Sequence, residues 1–144
     1  MNDLDYVLQT IDPWLDKYIN AGPDSLAPIE LLAVGVWMLE AEVNNGGFDQ
    51  YYFNSAGDMA IRTVDSLKSI GATNTASLLA AANAEFQNSA PPTDRTLRQD
   101  LLEEMRDRVS FSPLEQEFFQ DQERLMSRLA NHLRTHFAQQ AGLS

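Results

Sequence analysis

The sequence predicts an all-α protein, a single compact domain of about six or seven helices over residues 1–144. Three observations carry that expectation. Apolar residues recur at three- and four-residue spacing through most of the chain, and no stretch shows the strict alternation of a half-buried strand. Pro, Gly, Asp and Asn stand between the apolar stretches, where helix ends need them. The length of 144 residues suits about one domain, and a chain of that size buries about two thirds of its unfolded surface.

The elements follow in order. Leu4, Val7, Leu8 and Ile11 share one helix face. Pro13 lacks an N–H, so a new turn or kink is expected there with Asp12 as its cap. Trp14, Leu15, Tyr18 and Ile19 continue the face, and Ala21, Gly22 and Pro23 end it. Asp24 or Ser25, then Pro28, announce a second helix. It carries Leu31, Leu32, Val34, Val36, Trp37 and Leu39, is apolar nearly all round, and so reads as the central buried helix. Gly35 inside it costs about 1 kcal/mol relative to alanine; close helix packing is the expected reason.

Asn44, Asn45, Gly46 and Gly47 break this helix, because adjacent glycines after asparagines favour left-handed backbone and a tight turn. Residues 48–53 are read as a short helix, and 58–70 as another that Gly71 stops. Asn74 is read as the cap of the next, which bears Leu78, Leu79, Ala82 and Phe86. Residues 89–93 form a loop. Asp94 caps a helix through Leu97, Leu101, Leu102, Met105 and Val109. Ser112-Pro113-Leu114-Glu115 matches a capping box. One last helix is expected from there to about residue 140, striped by Phe118, Leu125, Leu129, Leu133 and Phe137.

Charge narrows the function. Asp and Glu number 21 against 10 Lys and Arg, a net of −11. Direct nucleic-acid binding needs clustered cations, and anionic membranes repel such a chain, so both are set aside. The partners that fit are basic surfaces. Residues 1–60 hold ten acids and one base, Lys17; residues 61–144 hold eleven acids and nine bases. The amino-terminal part therefore carries most of the field. Cysteine is absent, which excludes disulfides, thiolate metal sites and cysteine nucleophiles and suits a reducing compartment. The first ten residues are acidic with no basic segment ahead of an apolar run, so no secretory leader is expected. The longest apolar run, 31–39, is short of the roughly 20 residues that span a bilayer. The expectation is a cytoplasmic protein.

Few residues suggest catalysis. His132 and His136 lie at i, i+4, a spacing that can share a metal, but no acid completes such a site, and packing beside Leu129, Leu133 and Phe137 is the simpler reading. Glu40 and Glu42, two apart, face different ways on a helix. Phosphate loops and hydrolase or metalloprotease motifs are missing. No metal, cofactor or catalytic residue is therefore expected, and the chain is read as a non-enzyme.

The densest segment runs over residues 42–55, with amides, two carboxylates and four aromatic rings around the glycine pair. It supports two readings. In one, Glu42, Asn45, Gln50 and Asn54 offer polar contacts to a small ligand, with Tyr51 among its walls. In the other, the same groups satisfy orphan backbone at two helix ends while the rings anchor core.

Glu42 followed by Asn45-Gly46-Gly47-Phe48, then Gln50-Tyr51 and Phe53-Asn54-Ser55, resembles the signature of the bacterial DMP-type DNA-mimic domain family, long catalogued as a domain of unknown function. The likeness covers residues 25–90 well and the later helices poorly. It implies an all-helical acidic bacterial protein, often a homodimer. It also implies the possibility of presenting DNA-like charge to a DNA-binding transcription regulator. Glu42, Asn45, Gly46, Gly47, Phe48, Gln50 and Tyr51 carry over as the family hallmark, with a structural role. The mimic charges of the family are scattered surface acids and do not carry over by position.

The physics of mimicry points elsewhere in the chain. Carboxylates at i and i+4 on a helix have Cβ atoms about 5–6 Å apart, close to phosphate spacing along a strand. Asp12 and Asp16 have that spacing, and Asp5 lies seven before Asp12. The acids of residues 100–107 are interrupted by Arg106, so they read as an ordinary mixed-charge face. A partner-binding acidic surface is thus expected at Asp3, Asp5, Asp12, Asp16 and Asp24, with simple solvation of an acidic face as its competitor.

Overall fold

A computed structural model describes residues 1–142. Among these residues the chain forms seven α-helices, joined in three places by a short 3-10 turn, and no strand. Helix α1 (Asp3–Ala21) starts at Asn2, whose side-chain oxygen accepts from the Asp5 N–H at 2.8 Å. The break expected at Pro13 does not occur; the helix runs straight through it. The carbonyl that Pro13 leaves without a donor belongs to Gln9. Both residues are exposed, so water can serve that carbonyl and the usual reason to stop is removed.

Helix α2 (Pro28–Phe53) is the axis of the fold, and α1, α3, α5, α6 and α7 all pack against it. Glu30 turns back to accept from the Ala27 N–H at 3.0 Å, so the start is set by Glu30 rather than by Asp24 or Ser25. A β-carbon at Gly35 would lie 2.9 Å from the Thr63 hydroxyl, which bears out close packing as the reason for this glycine. The helix is bent at Gly46 and Gly47, as the sequence indicated. Gly47 has φ 74°, and 48–53 resume the helix after it.

After a 3-10 turn (Ser55–Met59) come α3 (Ala60–Ser69) and α4 (Thr73–Asn83). Asn74 lies inside α4 and does not cap it. That start is held from outside by Glu123, which accepts from the Asn74 and Thr75 N–H groups at 3.0 and 2.7 Å and from the Thr75 hydroxyl at 2.8 Å. Partial burial pushes the Glu123 carboxyl up, but these donors and Arg128 outweigh it, leaving it below its ordinary value. Helix α5 (Arg95–Met105) is capped by Asp94 as expected, through the Leu97 N–H at 2.8 Å.

The single last helix of the sequence reading is two: α6 (Ser112–Phe119) and α7 (Leu125–Ala141). Between them Asp121 and Arg124 take left-handed backbone, φ 47° and 54°, and Asp121 accepts from the Leu125 N–H at 3.0 Å to restart the helix. Periodicity does not register this break, because the apolar stripe resumes in step across it. Tyr18, Val34 and Met59 form a smaller cluster, and the main core beside it draws on all seven helices. At its centre the Phe48 ring meets Tyr51, Tyr52, Phe111 and Phe118 at centroid distances of 5.8–6.5 Å. Among the described residues no helix is long and apolar enough to cross a membrane.

Candidate functional site

Two places gather the residues singled out by sequence, the kink of α2 and the outer face of α1. At the kink the chain must leave helical geometry in mid-core. Gly47 permits it, both by its positive φ and because a β-carbon there would lie 2.3 Å from the Glu115 carboxylate. The bend frees the Phe48 N–H, and Glu115 of α6 accepts it at 2.8 Å. Glu115 is thus not the reciprocal half of a capping box at Ser112; it serves the neighbouring helix. On the other side, Glu42 accepts from the Gln50 and Asn54 amides at 2.7 and 3.1 Å, and Gln50 in turn accepts from Asn45 at 3.1 Å. The four polar side chains of the motif therefore bond to one another across the bend. Phe48 and Tyr51 are fully buried, so Tyr51 forms no wall that a solvent-borne ligand reaches. Its hydroxyl sits beside Thr63 without a hydrogen bond of good geometry, and burial pushes it above its ordinary value.

Below the kink lies Arg98, which the sequence reading passed over as one more cation of α5. It is completely buried. Its guanidinium donates to the carbonyls of Tyr52 (2.6 Å), Pro92 (2.9 Å) and Asn54 (3.0 Å), and to Asp58 (2.7 Å). It therefore closes the carboxy-terminal end of α2, where carbonyls have no helical partner. Gly57 makes room, since a β-carbon there would lie 2.7 Å from Arg98 Nε. The signal was present in the sequence: Arg98 falls in register with Leu102 and Met105, a charge on an apolar stripe. A cavity of about 250 Å³ opens beside this region, lined by Arg106, Phe111, Ser112 and Glu115 among others. A shallower one touches Gly46, Gln50 and Asn54. Asp49 and Arg106 stand in both, joined by two bonds of 2.8 Å.

The acids of α1 are arranged differently. Val7, Ile11 and Tyr18 define the buried side of the helix. At about 100° per residue, Asp5, Asp12 and Asp16 fall within about 40° of one another on the opposite side. All three are exposed, as is Asp24. Among the described residues none of these four takes part in an ion pair. Lys17, which interrupts the row in sequence, points away and pairs with Glu30 at 2.9 Å. Asp3 does not join the row. It lies toward α7, where Arg134 donates to it at 2.8 Å while stacking 4.3 Å over the Tyr6 ring. The Arg134 hydrogen bond, then that of Ser127, holds the Asp3 carboxyl below its ordinary value.

His132 and His136 lie on α7, and among the described residues no group of three or more metal-ligating side chains is brought together. Burial, then the neighbouring His136, lowers the His132 imidazole from its ordinary value.

An all-helical acidic chain, bent at an Asn-Gly-Gly-Phe turn and held there by its own carboxylates, is the class that these features define. The family model of DMP19-like proteins matches residues 24–136. That span is well over half of the chain, which therefore belongs to the DMP19-like family. Comparison with curated proteins and with solved structures found no match. The kink, Arg98 and Glu115 all lie inside the matched span, and Asp24 is its first residue. Asp5, Asp12 and Asp16 lie ahead of it.

Proposed function

We propose that the chain is an acidic protein-interaction module, a binding protein rather than an enzyme. In this reading the outer face of α1 occupies the nucleic-acid-binding surface of a basic partner such as a transcription regulator. The observation that supports it most is the row Asp5, Asp12, Asp16: three exposed carboxylates on one face of one helix, in no ion pair among the described residues. A rigid helix fixes their spacing, so a surface of Arg and Lys that grips phosphate meets charges it can also pair with. The mechanism is competition: while the acids fill the basic groove, DNA is kept out. The alternative, a small-molecule site at residues 45–54, is less supported, because the motif amides there already satisfy one another.

The test is affinity capture from the source lysate at low salt, followed by elution with rising salt or with DNA. The expected result is a DNA-binding protein retained by the native chain, displaced by its own DNA, and released steeply by salt. Retention unchanged in the double variant Asp12→Lys, Asp16→Lys overturns the assignment of the face.

A further inference from the structure

The acidic row does not stand alone on α1. Leu4, Leu8, Leu15 and Ile19 fall within about 60° of arc, immediately beside the arc of Asp5, Asp12 and Asp16. Leu15 reaches the core, but Leu4, Leu8 and Ile19 remain 46%, 38% and 75% exposed. Single exposed apolar side chains are ordinary. Here three of them form one stripe along a single helix, about 22 Å from Leu4 to Ile19 at 1.5 Å per residue, and each leaves a good part of its side chain in water.

We infer that α1 docks a cationic amphipathic helix of its partner protein, one whose apolar side covers Leu4, Leu8 and Ile19 while its Arg and Lys side chains reach Asp5, Asp12 and Asp16. This deepens the acidic-face reading and rests on it. Charge complementarity selects the occupant. A helix laid along the stripe brings its flank onto the carboxylate row, so a basic flank gains at every step. A second copy of this chain would instead set one acidic row beside another, in a protein of net charge −11. A purely phosphate-gripping surface would leave the leucines in water. Binding should therefore combine a salt-dependent part, from the acids, with a salt-resistant part, from apolar burial.

The probe is a synthetic helical leucine–lysine peptide with all leucines on one face, compared with a scrambled peptide of the same composition. Fluorescence anisotropy against the native chain should give the amphipathic peptide about tenfold or more the affinity of the scrambled one, about 1.4 kcal/mol, with NMR shifts confined to α1. Leu4→Ser with Ile19→Ser should erase that preference while circular dichroism stays unchanged, Ile19 being three-quarters in water and Leu4 nearly half. Equal binding of the two peptides, lost on Asp12→Lys with Asp16→Lys, overturns the inference and leaves the acidic-face reading standing. Binding of both peptides indifferent to that charge reversal overturns the two together. A dimer seen by sedimentation in the native chain and dissolved by Leu4→Ser with Ile19→Ser makes the second copy the occupant and also overturns the inference.

Discussion

At the α2 kink, Glu42, Glu115 and Asp58 each accept a hydrogen bond from a named donor; on the outer face of α1, Asp5, Asp12 and Asp16 accept none among the described residues. The two regions use the same residue type to different ends. Away from water an unpaired carboxylate or carbonyl costs about 1–3 kcal/mol, more when charged, so the acids and helix-end carbonyls at the kink are matched and thereby fix geometry, the buried Tyr51 hydroxyl being the exception. In water that penalty vanishes, and a carboxylate can stay unpaired at little cost. Satisfied acids describe how the chain is built. Unsatisfied ones, aligned on a rigid helix, are what the proposed docking face rests on.

Substitution should separate the regions sharply. The largest effect is expected at Arg98. Arg98→Ala strands the Asp58 carboxylate and the Tyr52 and Asn54 carbonyls, and should cost about 3–5 kcal/mol, as for removal of one partner of a buried pair. Urea unfolding measures it; a loss below 1 kcal/mol would mean that water replaces the guanidinium. Next comes Gly47→Ala, which puts a β-carbon at positive φ against Glu115 and should cost about 2 kcal/mol. If the cost is instead negligible, the bend is not held by Glu115.

Glu40 lies between the extremes. It is half-buried on α2, and burial, then the Asp121 carboxylate, raises it to about 7. An acid that binds its proton more tightly when folded favours the folded state at low pH. Stability from this group should fall as pH rises from about 4.5 to about 7, and level off above. Glu40→Gln should remove that slope and stabilise the protein at pH 8 by about 1–2 kcal/mol, a value discounted for its partial exposure from about 1.4 kcal/mol per pKa unit. Thermal melts at pH 5 and pH 8 decide it: an unchanged difference between native chain and variant at the two pH values refutes the assignment. The smallest effect is expected on α1, where Asp12→Asn with Asp16→Asn should shift stability by less than about 0.5 kcal/mol. A larger destabilisation would show those acids to be part of the architecture after all.

Much of the architecture was legible before any coordinates. The all-α class, the buried central helix, the Asp94 cap, the packing role of Gly35 and the break at Gly46-Gly47 follow from spacing and from backbone chemistry within a few residues. The failures share a cause. Glu115 fits a capping box by sequence, yet it bonds Phe48, 67 positions away. Asn74 fits a cap, yet Glu123 does that work from 49 positions away. In each case a distant side chain reached an orphan N–H that local pattern assigned to a neighbour. Pro13 failed for a different reason: the helix places its lost hydrogen bond on the water side.

By itself, then, the sequence determined the helical class, where most of the helices lie, which faces are apolar, and that the amino-terminal part is acidic, because each depends on residue identity at short spacing. Only the tertiary structure decided which acids are free. Asp3 and Glu30 are taken by Arg134 and Lys17, Glu115 and Glu123 by helix ends far off in the chain, while Asp5, Asp12 and Asp16 face water. A formal charge is a property of a residue, but its availability depends on which groups folding brings within about 4 Å of it.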